Sequence, residues 1–470
     1  MRTLVWFRGK DVRVWDHAPL ADAAKAGEVV PVFVLDPYFF APERAQRCPH
    51  RIQFLLESIA ALEESLEALG SRLLLVEGRS VDVIPQIAER MHADRVVAYR
   101  WVEPFARERD RRISRALGEG FQLYEGETLI PPGTLRTGAG KPFSVFTPFA
   151  KAARRAVPSS APKRHPKSLP PVPRNLGIET TKLPSLSHLG ITHNPRVLHG
   201  GEPAARDRLE RFLKKGLANY ASARDQLEPQ GTSRLSADLK FGTLSIRAVW
   251  HAVASSDAPA ADVDKLESEL LWREFAYHVL WERPSVLEHP FREDFEGFPW
   301  RDDDDAFAAW WEGKTGYPVV DAAARQLLAE GFVPNRARMI AASFLTKHLL
   351  VSFRRGEAHY LKFLTDGDWA NNDMGWQWSA GCGCDAQPYF RVFNPMTQGE
   401  RFDPEGRYVR RFVPELAEMP ARFIHRPWEA PPEVLAAAGV RLGKSYPRPI
   451  VDHAEARARF LAVAKSHLSC

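Results

Sequence analysis

The chain has 470 residues, a formal net charge of +5, thirteen tryptophans and four cysteines. That length supports two or more domains with sizeable cores. No apolar run is long enough to span a bilayer, and the opening MRTLVWFRGKDVRVWD turns charged too soon for a signal peptide. Cys48, Cys382, Cys384 and Cys470 are too few for a disulfide scaffold, so a reducing cytoplasm is expected, and the single C-x-C pair argues against a closed zinc site. The charge permits an anionic partner without requiring one.

The first part of the chain alternates. Strand-like runs TLVWF, VVPVFVLD, RLLLVEG, RVVAYR and FQLYEG are separated by helical patterns, among them HRIQFLLESIAALEESLEALG, closed by Gly70, and VDVIPQIAERMHA. Alternation of this kind predicts an α/β fold, a doubly wound parallel sheet with helices on both faces, over residues 1–130. It lacks G-x-G-x-x-G and so is not a standard dinucleotide fingerprint. Ligands of such sheets bind at the carboxyl ends of strands, where FRGKDVR and WVEPFARERDRR fall. Residues 131–199 read as a connector, and PSSAPKRHPKSLPPVP within them as an extended linker or surface loop. From residue 200 to 470 only helical patterns remain, which predicts an all-helical domain.

Four stretches of that second part carry polar groups in suggestive places. GTSRLSADLKFGTLS offers hydroxyls and an arginine near a helix start, either an anion cradle or an ordinary N-cap; Tyr220 lies twelve residues upstream of Thr232. In SELLWREF, Glu269 and Arg273 are spaced as a surface ion pair, and Trp272 lies on an apolar stripe with Phe275, Val279 and Leu280. In PNRARM, Asn335 and Met339 stand one helical turn apart. DGDWANNDMGWQW combines a Asp366-Gly367-Asp368 loop with Asn372 and Trp376 at helical spacing. The acidic run RDDDDAFAAWWEG reads as a helix start.

Taken in order, GTSRLSADLKFG, SELLWREF, EGKTGYPVVDAAARQL, NRARMIAASFL, DGDWANNDMGWQW and DAQPYFRVFNPMTQGERFDPEGRYVRR resemble the cryptochrome/photolyase family over essentially the whole chain. Within that family the chain is most like a cyclobutane pyrimidine dimer photolyase of class I type. The resemblance implies an antenna domain, a connector and a helical domain that holds FAD. It assigns FAD binding to Tyr220, Thr232, Ser233, Arg234, Leu235, Ser236, Glu269, Arg273, Asn335, Arg338, Asp366, Gly367, Asp368 and Asn372. Asn372 would face flavin N5, where plant cryptochromes carry an acid. Trp272 and Trp378 resemble the indole walls of a lesion pocket, Glu269 the carboxyl that bonds the dimer's carbonyl, and Asn335 and Met339 its remaining lining. Enzymes for (6-4) photoproducts have histidines at those last two places. Arg224, Arg336, Arg391 and Gln398, with Trp272, Asn335 and Trp378, match DNA contacts. The implied activity is light-driven, redox-neutral repair of UV-damaged DNA by a monomer in the cytoplasm, with no membrane partner and no metal. A cryptochrome photoreceptor and a (6-4) photolyase are the alternatives, and a flavin protein without light chemistry a more distant one.

Two departures stand out. The family's tryptophan triad matches at Trp376 (flavin-proximal) and Trp300 (surface), but the middle position is Phe353, which is much harder to oxidise. Trp369, Trp378 or the Trp310/Trp311 pair are candidates for a detour. At VEPFARERD, Phe105-Ala106 replaces the Asn-Glu common in folate-antenna relatives, which weakens a methenyltetrahydrofolate and resembles relatives that use a deazaflavin, with an FMN or an empty antenna site also open; Arg8, Asp36, Arg51, Glu103 and Arg109 are the candidate residues, each read more readily as an ordinary sheet-edge or helix charge.

Overall fold

The computed structural model describes residues 1–162, 165–174, 176–228 and 231–468. Two compact units divide the chain: Met1–Ala218 with Ser233–Pro284 and Thr365–Asp368 form one, and Asn219–Thr232 with Ser285–Leu364 and Trp369–Cys470 the other.

All five predicted strands form: β1 (Arg2–Phe7), β2 (Glu28–Leu35), β3 (Leu74–Glu77), β4 (Arg95–Tyr99) and β5 (Phe121–Tyr124). They make one parallel sheet in the order β3-β2-β1-β4-β5. Alternate residues of each strand face opposite sides. Val5, Phe7, Val29 and Phe33 pack with Phe54, Leu56, Ile59 and Leu62 of the helix Pro49–Ala68. Leu4, Trp6, Val30 and Val32 pack on the other side with Ile84, Ile87, Met91 and Ile113. Coverage on both faces explains why VVPVFVL is apolar without alternation. The chain reverses its winding between β1 and β4, so the loops after these two strands flank the switch point where doubly wound sheets bind ligands.

The proline-rich stretch departs in part from its expected role as a surface loop. Lys163 and Arg164 lie outside the described residues, but Leu169 and Val172 are buried against the two faces' cores, and the Leu169 N–H donates to the Leu69 carbonyl. The apolar residues between the prolines supply the burial that composition alone obscures. The long helix Ala260–Glu282 completes this unit, with Phe275 and Leu280 fully buried and Val279 nearly so.

The second unit is helical, with one isolated bridge, Arg301 to Val351, besides a second at Leu442 to Tyr446. Its core gathers Trp310, Tyr317, Phe353, Tyr360, Trp376 and Tyr408. Asp303 caps the helix Asp304–Trp311 by accepting from the Ala306 N–H at 2.9 Å, with Asp304 and Asp305 in the first turn, as the acidic run predicts. The helix Phe353–Phe363 packs against Trp369–Ala380, and Gly356 is the reason they can approach: a Cβ there would run into the Trp376 ring. No helix among the described residues is long and apolar enough to cross a membrane.

Candidate functional site

In the first unit the candidate residues converge on Asp368. Its Oδ2 accepts from the Tyr277 hydroxyl at 2.6 Å and lies 3.5 Å from Lys10 Nζ. Lys10 also pairs with Glu103 at 2.8 Å and with Glu127. Burial alone would strip the Lys10 proton, yet Glu103, Glu127 and Asp368 hold its pKa well above the ordinary lysine value. Burial drives the Tyr277 hydroxyl strongly upward, so it is a fixed donor. Arg273 reaches Glu274 at 3.2 Å and the Glu127 carbonyl at 3.0 Å rather than Glu269. The expected Glu269–Arg273 ion pair is thus replaced, because the guanidinium is drawn to buried acceptors; Glu269 pairs with Lys265 at 3.3 Å. Gly367 offers its carbonyl to Arg51 Nη1 at 3.3 Å.

Trp272 is half-buried, and Phe146 stacks on its ring at 3.7 Å between centroids with 8° between planes. An indole so backed is held rigidly and cannot collapse into its own core. Ser233 accepts from the Leu235 N–H at 3.4 Å, and Arg234 takes φ +58°, an unusual conformation that a non-glycine residue keeps only when its surroundings impose it. Leu235 is buried, and Ser236 opens the short helix Ser236–Phe241.

The antenna candidates all have partners within the unit. Arg8 and Arg109 share the buried Asp110 at 2.8 and 2.9 Å and stack on Trp6 and Trp101. Glu103 pairs with Lys10. Asp36 accepts from the Tyr38 N–H and from both the N–H and hydroxyl of Ser80.

In the second unit, Asn335 and Met339 do share a helix face, with Asn335 Nδ2 3.7 Å from Met339 Sδ. Arg336 pairs with Asp225 at 3.0 Å and Arg224 lies 3.7 Å from it, so two of the arginines assigned to DNA meet on one carboxylate. Arg391 is exposed, its carbonyl held by Lys347 at 2.9 Å, and Gln398 follows on the helix Pro395–Phe402. Arg338 Nε donates to the Val333 carbonyl at 2.7 Å. Tyr220 is buried at the start of a single helical turn. Asn372 donates from Nδ2 to the Glu357 carbonyl at 3.0 Å, which commits the donor end of the amide and leaves Oδ1 as the acceptor for a ligand. Trp376 is buried, Trp378 half-buried and Trp369 exposed; Trp369 and Trp378 make no ring contact with Trp376 among the described residues.

FAD suits these residues on one structural ground above others. Thr232 Oγ1 is buried without a hydrogen-bond partner among the described residues, an orphaned hydroxyl that a phosphate oxygen would satisfy. Lys10, Tyr277, Glu127, Phe146 and Gly356 escaped the reading of the sequence. Only Lys10 left a signal, as the lysine in the loop after β1.

The DNA photolyase family model matches residues 3–171, and the model for the FAD binding domain of DNA photolyase matches residues 266–466. The deoxyribodipyrimidine photo-lyase of Agrobacterium fabrum is 41% identical, covering 98% of this chain and 96% of that protein. The solved structure of a bacterial class III photolyase from Agrobacterium tumefaciens superposes with a TM-score of 0.92 at 39% identity, over 100% of this chain and 98% of the other. A Synechocystis cryptochrome superposes with a TM-score of 0.90 at 32% identity, over 98% and 99%. The chain therefore belongs to the cryptochrome/photolyase family and carries its FAD-binding domain.

Proposed function

We propose that the chain repairs cyclobutane pyrimidine dimers in DNA by light-driven electron transfer. The observation that carries this reading is the phenylalanine-backed Trp272, which shares the helix Ala260–Glu282 with Glu269 and so supplies an indole and a carboxyl suited to an extruded pyrimidine dimer. FAD, when bound in its reduced form, supplies the light-driven one-electron chemistry. The chain's residues do the remainder. Thr232, Ser233, Arg234 and Ser236 bind its phosphates. Asp366 and Asp368 orient its sugar and ring, Asp368 being fixed by Tyr277 and Lys10. Asn372 presents Oδ1 as acceptor to a ring N–H.

Arg224, Arg336, Arg391 and Gln398 position the DNA backbone without reading sequence. Trp272 and Trp378 exclude water and receive the flipped bases, as the handling of damaged bases by such enzymes requires. The Glu269 carboxyl bonds a base carbonyl as charge develops there. The class I type that the resemblance implies is proposed in the same way, with class III, the class of the Agrobacterium tumefaciens structure, as its competitor. The expected division at residues 130 and 199 and the monomeric state belong to this proposal too.

A second reading, a photoreceptor, is favoured by the fold shared with the Synechocystis cryptochrome. Chemically reduced protein, mixed with an oligonucleotide bearing a thymine dimer under blue light and in darkness, separates the two. Light-dependent recovery of thymine absorbance supports repair. Its absence, with FAD bound and reduced, favours the photoreceptor.

A further inference from the structure

β3 is one edge of the sheet, and the connector crosses that edge without sealing it. Two hydrogen bonds fasten it there. The Leu169 N–H donates to the Leu69 carbonyl at 2.7 Å, and the Thr181 N–H to the Leu75 carbonyl at 2.9 Å. Between these points stand Pro170, Pro171 and Pro173, which have no N–H to give to a strand edge. Two cavities open where the connector stands off β3, of about 560 and 460 Å³. Both fall in the range of small-molecule sites, about 300–1,000 Å³.

Arg72 and Arg174 line both cavities. The larger has an apolar wall of Leu74 and Leu176, both buried, and the half-buried Ile178, with Glu179 and Thr180 beside it. Ser71 lines the smaller. Three of these polar groups lack partners. Arg72 and Arg174 are exposed and make no ion pair or hydrogen bond among the described residues. Ser71 is only 9% exposed, and its Oγ is buried with no hydrogen-bond partner among the described residues. A buried hydroxyl left unpaired carries a desolvation cost that a bound acceptor removes. Two guanidiniums on the same cavities repel one another, and an anion between them relieves that. Their planar forks match phosphate oxygens in pairs. Glu179 is the acid among the lining residues; it accepts hydrogen bonds and disfavours a ligand that is negative throughout.

We infer that these cavities bind a small organic phosphomonoester. The phosphate lies on Arg72 and Arg174 and accepts from the Ser71 hydroxyl. The apolar body lies on Leu74, Leu176 and Ile178, and Glu179 accepts from hydroxyls beside it. The site shares no residue with the group around Asp368, and the inference holds whether or not the chain repairs DNA.

The FAD-loaded full chain, kept in darkness, is titrated by calorimetry with phenyl phosphate and with inorganic phosphate. Phenyl phosphate is expected to bind with a Kd of about 1 mM or tighter, at least about tenfold tighter than inorganic phosphate. Arg72→Gln and Arg174→Gln should each weaken it about tenfold or more, and Ser71→Ala by roughly threefold to tenfold. Arg155→Gln, an exposed arginine on the helix Phe146–Ala156, should leave it unchanged. Phenyl phosphate should also raise the melting temperature of the wild type and of Arg155→Gln, and not that of the Arg72→Gln/Arg174→Gln double variant. Undiminished binding by the double variant overturns the inference. So does the lack of saturable binding by the wild type up to about 10 mM. Equal affinity for inorganic phosphate overturns it too, because the apolar wall then contributes nothing.

Discussion

Replacing Lys10 by methionine would test how the buried charge of the first unit is held. The lysine side chain is only 4% exposed, as is Asp368, with Glu127 at 5% and Glu103 at 12%. Methionine fills similar volume but removes the cation in direct contact with these carboxylates. Removing one partner of a buried ion pair costs about 3–5 kcal/mol, and the nearby charges of Arg273 and Lys240 offset only part of it. The sign with pH follows from the carboxyls. Burial already raises the Glu127 carboxyl and Lys10 works against that rise, so without Lys10 its folded value climbs further above the unfolded one near ~4 and stability is lost as pH rises through it. In the wild type the lysine's raised pKa keeps its contribution complete across pH 5–8. The variant's deficit should therefore be largest at pH 8 and shrink toward pH 5. Urea unfolding followed by circular dichroism at both pH values measures it. A loss below about 1 kcal/mol, or one that does not change with pH, would refute the argument that Lys10 is the counter-cation for this cluster.

Other expectations follow from the same structure. Arg336→Ala, which leaves Asp225 to Arg224, should weaken binding to undamaged duplex and lower the slope of log affinity against log salt by about 1; an unchanged slope removes Arg336 from the phosphate contacts. Gly356→Ala drives a methyl group into the Trp376 ring and should cost roughly 1–3 kcal/mol in thermal or urea unfolding, with changed tryptophan fluorescence. His359 has its folded pKa depressed by burial to about 4, so its contribution to stability is lost as pH falls from about 6.5 toward 4; His359→Phe should lessen the fall in melting temperature between pH 7 and pH 5.

Much of the architecture was legible because it depends on local periodicity. The five strands stand where apolar runs and turn residues predicted them, and Gly70, at φ +87°, ends the helix that its position suggested. The acidic run before Ala306 caps its helix for the same local reason. Partnerships were less legible. Arg273 sits four residues from Glu269, yet binds Glu274 and the Glu127 carbonyl, because the low dielectric of the interior rewards those acceptors more. Phe146 and Tyr277 serve Trp272 and Asp368 from 126 and 91 residues away in sequence, and no spacing rule links them. Trp310 read as one of two neighbouring tryptophans; only the packing of its helix brings it against Trp376.

The central claim is light-driven repair, and the most direct measurement is dimer splitting itself. Chemically reduced, FAD-loaded protein is given a single thymine dimer in an oligonucleotide, and intact thymine is quantified after blue light or darkness. The account predicts restoration in light only, with Glu269→Ala slowed and still binding flavin. No restoration by protein shown to hold reduced FAD and to bind the damaged strand would contradict it.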